Sequence, residues 1–135
     1  MQLPPISQLP WAVGPERFIA AGRRLTGDGA CCLFLIDESI PAGARPGYAA
    51  LVIAYARANE PVTILEGGAA AILIADGGLR AATAVATRLI NQMSKLGLAE
   101  TLRAGVATLG DGVEPALALA RTRAAAAAAG EVSGA

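Results

Sequence analysis

The chain has 135 residues, with 11 basic and 11 acidic side chains, no histidine, a hydrophobic share of 54% and a charged share of only 16%. That length supports one domain with a real hydrophobic core and is too short for two ordinary ones. A formal net charge of zero, scattered along the chain, leaves no electrostatic footprint for nucleic acid or an anionic membrane, and so bland a surface favours association with protein.

Residues 1–14 read as a proline-rich arm. Pro4, Pro5 and Pro10 allow no helical period, and Trp11 follows at once. Pro4, Pro5 and Trp11 are the candidate partner contacts, with Trp11 either anchoring a partner or pinning the arm to its own domain. The opening Met1-Gln2-Leu3-Pro4-Pro5 lacks the basic start and apolar core of a signal peptide, and no apolar run reaches bilayer length. The expectation is therefore a cytoplasmic chain without membrane insertion.

Pro15 suits the first turn of a helix over residues 15–26, with Phe18, Ala21 or Gly22, and Leu25 on one face until Gly27-Asp28-Gly29. Residues 30–36 are an uninterrupted apolar run ending at Asp37-Glu38, which predicts a central strand covered on both faces. Cys31 and Cys32 within it are adjacent and cannot form an ordinary disulfide with each other, so they read as two small buried hydrophobes, not a metal or redox site. Residues 41–46 form a loop broken by Pro41, Gly43 and Pro46. A helix over 47–59 then places Leu51, Val52 and Tyr55 on one face, with Pro61 setting its end.

Two apolar runs, Val62-Thr63-Ile64-Leu65 and Ile72-Leu73-Ile74-Ala75, flank Gly67-Gly68, a pair that tolerates the positive φ a tight hairpin requires. Asp76-Gly77-Gly78 leads into a helix over 78–96, with a stripe of Leu79, Ala82, Val85 or Ala86, Leu89, Ile90, Met93 and Leu96. Arg80, Arg88 and Lys95 are expected to point away from it, and Gly97 to cap it. A strand over 101–109 and an alanine-rich helix over 113–129 follow. That helix is expected to pack lightly, and any edge strand in the tail 131–135 to be missing or minimal. The element order predicts an α/β (α+β) chain, a ferredoxin-like palm with helices on an antiparallel-rich sheet, occupying residues 15–130.

Several of these stretches resemble one family. Gly67-Gly68, three residues and Ile72-Leu73-Ile74 resemble the hairpin of GGDEF domains, the diguanylate cyclases, whose acidic residues after the glycines face the nucleotide. Asp37 resembles the first metal-binding aspartate of the family's Asp-x-Asp-x-Phe motif, and Arg103-Ala104-Gly105-Val106-Ala107 resembles its Ser-Ile-Gly-Val-Ala strand. Pro15-Glu16-Arg17-Phe18 is similar to the family's Asn-Arg-Arg-x-Phe start, and Arg57-Ala58-Asn59-Glu60 to its Arg-x-x-Asp feedback site for cyclic di-GMP.

The departures fall on the chemistry. Ala69, Ala70 and Ala71 stand at the acidic hairpin positions, and residues 41–46 contain no base-reading asparagine. Ala127 and Glu131 stand where the family carries its phosphate-neutralising lysine and arginine. Two-metal phosphoryl transfer needs clustered carboxylates and cationic neutralisation of phosphate. The resemblance therefore implies a nucleotide-cyclase palm that is catalytically inactive, with no metal and no cofactor, acting as a protein-interaction or self-association module. On that reading Gly67, Gly68, Ala69, Ala70 and Ala71 are a vestigial hairpin, the partner is another protein or a second copy, and a nucleotide ligand is not expected. Two alternatives stay open. One is non-catalytic sensing of a nucleotide or cyclic di-GMP through Asp37, Arg57 and Glu60, although Arg57 and Glu60 better suit a helix-terminal salt bridge or a solvated charge. The other is a cyclase with displaced ligands, built on Asp37 and Glu38.

Overall fold

In the structure, a computed structural model describing residues 13–25, 28–56, 60–110 and 112–134, the apolar run of the sequence becomes β1 (Ala30–Ile36). It lies antiparallel to β3 (Ala70–Ile74) on one side and to β4 (Leu102–Thr108) on the other. Strand β2 (Val62–Ile64) pairs with β3, and β5 (Val132–Ser133) runs parallel to β4, giving the order β2-β3-β1-β4-β5. Helices α1 (Pro15–Arg24), α2 (Arg45–Ala54), α3 (Gly78–Ser94) and α4 (Val113–Ala126) pack on this mixed sheet. The segment β1-α2-β2-β3-α3-β4, antiparallel throughout in the order β2-β3-β1-β4, is the ferredoxin-like split βαβ arrangement.

Because successive side chains of a strand point to opposite faces, β1 serves two cores. Ala30, Cys32, Phe34 and Ile36 pack with the α2 and α3 face, among Val52, Ile53, Leu89 and Met93. Cys31 and Leu33 pack with the α1 and α4 face, among Phe18, Val113, Leu117 and Ala120. Both cysteines are buried and unbridged, and the Cys32 thiol donates to the Ala82 carbonyl at 3.1 Å.

The helices depart from the sequence reading at their ends. α1 stops at Arg24, two residues early, where Leu25 turns extended. The loop expected over 41–46 is instead a 3-10 turn, Ala42–Ala44, running into α2 from Arg45. Pro46 is accommodated because the first helical turn leaves its N–H groups without helical partners anyway. α2 ends at Ala54, so Tyr55 falls beyond the buried set Ala49, Ala50, Val52 and Ile53 and is exposed, against the expectation that it shares their face. In α3 the predicted stripe is buried from Ala82 to Met93, but the helix ends at Ser94 and leaves Leu96 exposed. Gly97, at φ 72°, closes it, with the Leu98 N–H donating to the Met93 carbonyl at 2.9 Å.

The light packing expected of α4 is overturned. Its alanines let the backbone approach the sheet at Gly105, where a Cβ would lie 1.9 Å from the Ala120 carbonyl oxygen. Small side chains here produce closeness, not looseness. The last strand is minimal as expected, two residues beside Ala104 and Gly105. Beyond it, the Arg123 guanidinium donates to the Val106 carbonyl at 2.8 Å. Among the described residues, no helix is long and apolar enough to cross a membrane.

Candidate functional site

The bend between β2 and β3 spans Leu65 to Ala69. Its ends are joined by the Leu65 N–H donating to the Ala69 carbonyl at 2.8 Å, and the Gly68 N–H donates to Leu65 at 3.1 Å. Gly67 and Gly68 both take positive φ, 78° and 79°, as the sequence requires, although the loop is wider than a two-residue turn. Gly68 sits tightly against the start of α2: a Cβ there would lie 2.9 Å from the Arg45 Cβ and 3.1 Å from the Pro46 nitrogen.

Past the bend, Ala69, Ala70 and Ala71 are 1%, 0% and 0% exposed. Ala70 lies opposite Phe34 and Ile64, and Ala71 opposite Leu33 and Thr63. Ala70 belongs to the core under α2 and α3, and Ala69 and Ala71 to the core under α1 and α4. All three are buried positions, Ala69 at the end of the bend and Ala70 and Ala71 within β3, rather than seats opening on a cleft, so a carboxylate at any of them would have to be buried among hydrocarbon.

A cleft of about 360 Å³ opens at the end of β1, lined by Leu35, Ile36, Asp37, Glu38, Arg45, Gly67, Arg103 and Arg121. Antiparallel pairing explains why these residues meet: β4 begins where β1 ends, and Leu35 lies opposite Arg103. α2 brings in Arg45 from its first turn, and α4 brings in Arg121 from its middle. The Arg45 guanidinium donates to the Ile40 carbonyl at 2.9 Å and to the Glu38 carbonyl at 3.2 Å. Arg121 donates to the Glu66 carbonyl at 3.3 Å. Arg103 approaches Asp37 only to 3.8 Å, and its Nε is buried with no hydrogen-bond partner.

Asp37 is tied down by its neighbour Ser39, whose hydroxyl donates to Oδ2 at 2.5 Å and whose N–H donates at 3.0 Å. These two bonds, with help from the positive charges of Arg103 and Arg45, hold its carboxyl below the usual range and keep it ionised. Glu38 is the second carboxylate of the cleft. Among the described residues, no group of three or more acidic, cysteine or histidine side chains is placed to hold a metal ion.

The other candidates lie elsewhere. Glu60 is 8% exposed and accepts a hydrogen bond from Arg88 at 2.9 Å, so Arg88, expected to point away from the apolar stripe of α3, is held by a carboxylate of the fold. Arg57, Pro4, Pro5 and Trp11 lie outside the described residues. Arg45, Arg103 and Arg121 were not among the site residues expected from the sequence. Each looks locally like an ordinary surface cation, and only the antiparallel placement of β4 beside the strand ending at Asp37 could have joined one of them, Arg103, to Asp37 in advance.

No protein-family model matches the chain, and no curated protein matches it.

Proposed function

We propose that this chain is a non-catalytic module built on a degenerate GGDEF-like palm, working by association with a protein partner or with a second copy of itself. One observation carries the reading: after Gly67-Gly68, where the resemblance calls for acidic groups, the chain has alanines, Ala69 buried at the end of the bend and Ala70 and Ala71 buried within β3. Without them Asp37 and Glu38 are, among the described residues, the only carboxylates lining the cleft, too few for a pair of divalent ions held by the protein. Association is supported by the low charged fraction of the chain. Size-exclusion chromatography with light scattering tests it. The expected result is a concentration-dependent oligomer or a stoichiometric complex with a partner, and a strict monomer that captures nothing would overturn it.

A second reading, ligand sensing without turnover, is favoured by the three arginines of the cleft. Glu60 supports it less, because its carboxylate is engaged by Arg88 inside the fold.

A further inference from the structure

We infer that the cleft between the end of β1 and the Gly67 turn is a binding site for a compact phosphomonoester, held by Arg45, Arg103 and Arg121. The inference deepens the sensing reading and is independent of self-association.

The donor inventory points to an anion. Each guanidinium carries five N–H donors, yet Arg121 spends one on a single carbonyl at 3.3 Å and Arg45 spends two on carbonyls of its own loop. Arg103 makes a charge contact at 3.8 Å and leaves a buried Nε without an acceptor. The guanidinium N–H groups that these contacts leave open along the cleft would find their acceptors on an oxygen-rich ligand. Planar guanidinium forks match phosphate geometry, and three of them arriving from different elements can surround one tetrahedral group.

Charge and volume limit the ligand further. Among the described residues, the three arginines and the two carboxylates Asp37 and Glu38 leave the lining at +1. That offsets much of the charge of about −2 on a phosphomonoester and falls well short of a triphosphate. Asp37 and Glu38 offer acceptors rather than donors, so the body of the ligand should carry hydroxyl or amine groups. The cleft, at about 360 Å³, has space for a sugar phosphate or a nucleoside monophosphate. Gly67 leaves that approach open, since a Cβ there would meet nothing within 4 Å.

The test is thermal shift and calorimetry on the full chain at low salt, with inorganic phosphate, ribose 5-phosphate, GMP and GTP as probes. The expected result is saturable binding of a monoester, weakened at least about tenfold (~1.4 kcal/mol) in Arg103→Gln and in Arg121→Gln, and weakened by added salt. Arg121 lies on the outer part of α4, so its variant keeps the test open if Arg103→Gln fails to fold. No saturable response to any monoester, equal binding by the wild type and Arg121→Gln, or tighter binding of GTP than of GMP would each overturn the assignment. None of these outcomes bears on whether the chain self-associates.

Discussion

Gly105 of β4 and Ala120 of α4 are in backbone contact: a single added methyl on Gly105 would sit 1.9 Å from the Ala120 carbonyl oxygen and 2.5 Å from the Ala124 nitrogen. Neither neighbour is a side chain that can swing aside, so Gly105→Ala must push the helix off the sheet. The expected loss is about 3 kcal/mol or more, the upper end of overpacking costs. Gly22→Ala makes the comparison, because what it meets is a side chain and not backbone, the Val113 Cγ2 at 2.6 Å and Cβ at 2.9 Å, and helix propensity repays up to ~1 kcal/mol. Urea denaturation of both variants should rank Gly105→Ala as much the more damaging; the reverse order would mean that α4 does not lie this close.

The two glycines of the bend are expected to differ. Both hold positive φ, which costs a residue with a side chain about 1–2 kcal/mol. Only Gly68 also faces the Arg45 Cβ and the Pro46 nitrogen at 3.2 Å or less, while Gly67 faces open space. Gly67→Ala should therefore lower stability by about 1 kcal/mol, and Gly68→Ala by clearly more, as read from thermal unfolding midpoints. Equal losses would contradict the docking of the bend on α2.

Removing Arg88 should cost more than an exposed ion pair would. Its partner Glu60 has a side chain 11% exposed, and Arg88 itself is 25% exposed. Leaving such a carboxylate without its guanidinium costs several kcal/mol when burial is complete, so about 2 kcal/mol is expected after allowing for partial exposure. Glu60→Gln combined with Arg88→Met should recover part of the loss in a double-mutant cycle. Strict additivity would show that the pair contributes nothing.

Stability should also fall on the alkaline side. Burial pushes the Cys31 thiol up from 9.0 to about 12, with the Ala107 backbone and the Arg123 charge pulling partly the other way. Burial also raises Cys32. A raised folded value means that the unfolded chain releases its protons first. The contribution is therefore complete below about pH 9 and is lost as pH climbs toward 12. Cys31→Ala should flatten the decline in denaturation midpoint above pH 9, and an unchanged slope would exclude this thiol as a cause. In the native state both thiols should resist alkylating reagents at pH 8 and react once the chain is unfolded.

Much of the fold could be read from local pattern. The run Ala30 to Ile36 declares a strand covered on both faces, and Gly67-Gly68 between β-branched runs declares the bend. Helix ends were less legible, because nothing local to Tyr55 or Leu96 records where neighbouring packing stops rewarding another turn. The tight seat of α4 was misread for a related reason. Alanine offers little apolar area, but it also permits close approach, and only the facing Gly105 reveals which effect wins. The cleft was the least visible feature. Its arginines at 45, 103 and 121 are far apart in the chain and are gathered only by antiparallel pairing and the placement of two helices.

Turnover decides whether the palm is catalytic. The purified chain is incubated with labelled GTP and ATP in the presence of magnesium or manganese, and the products are separated. With Ala69 buried at the end of the bend and Ala70 and Ala71 buried within β3, no cyclic or dinucleotide product should form at any protein concentration. Product that scales with protein and disappears in Asp37→Asn would contradict the account.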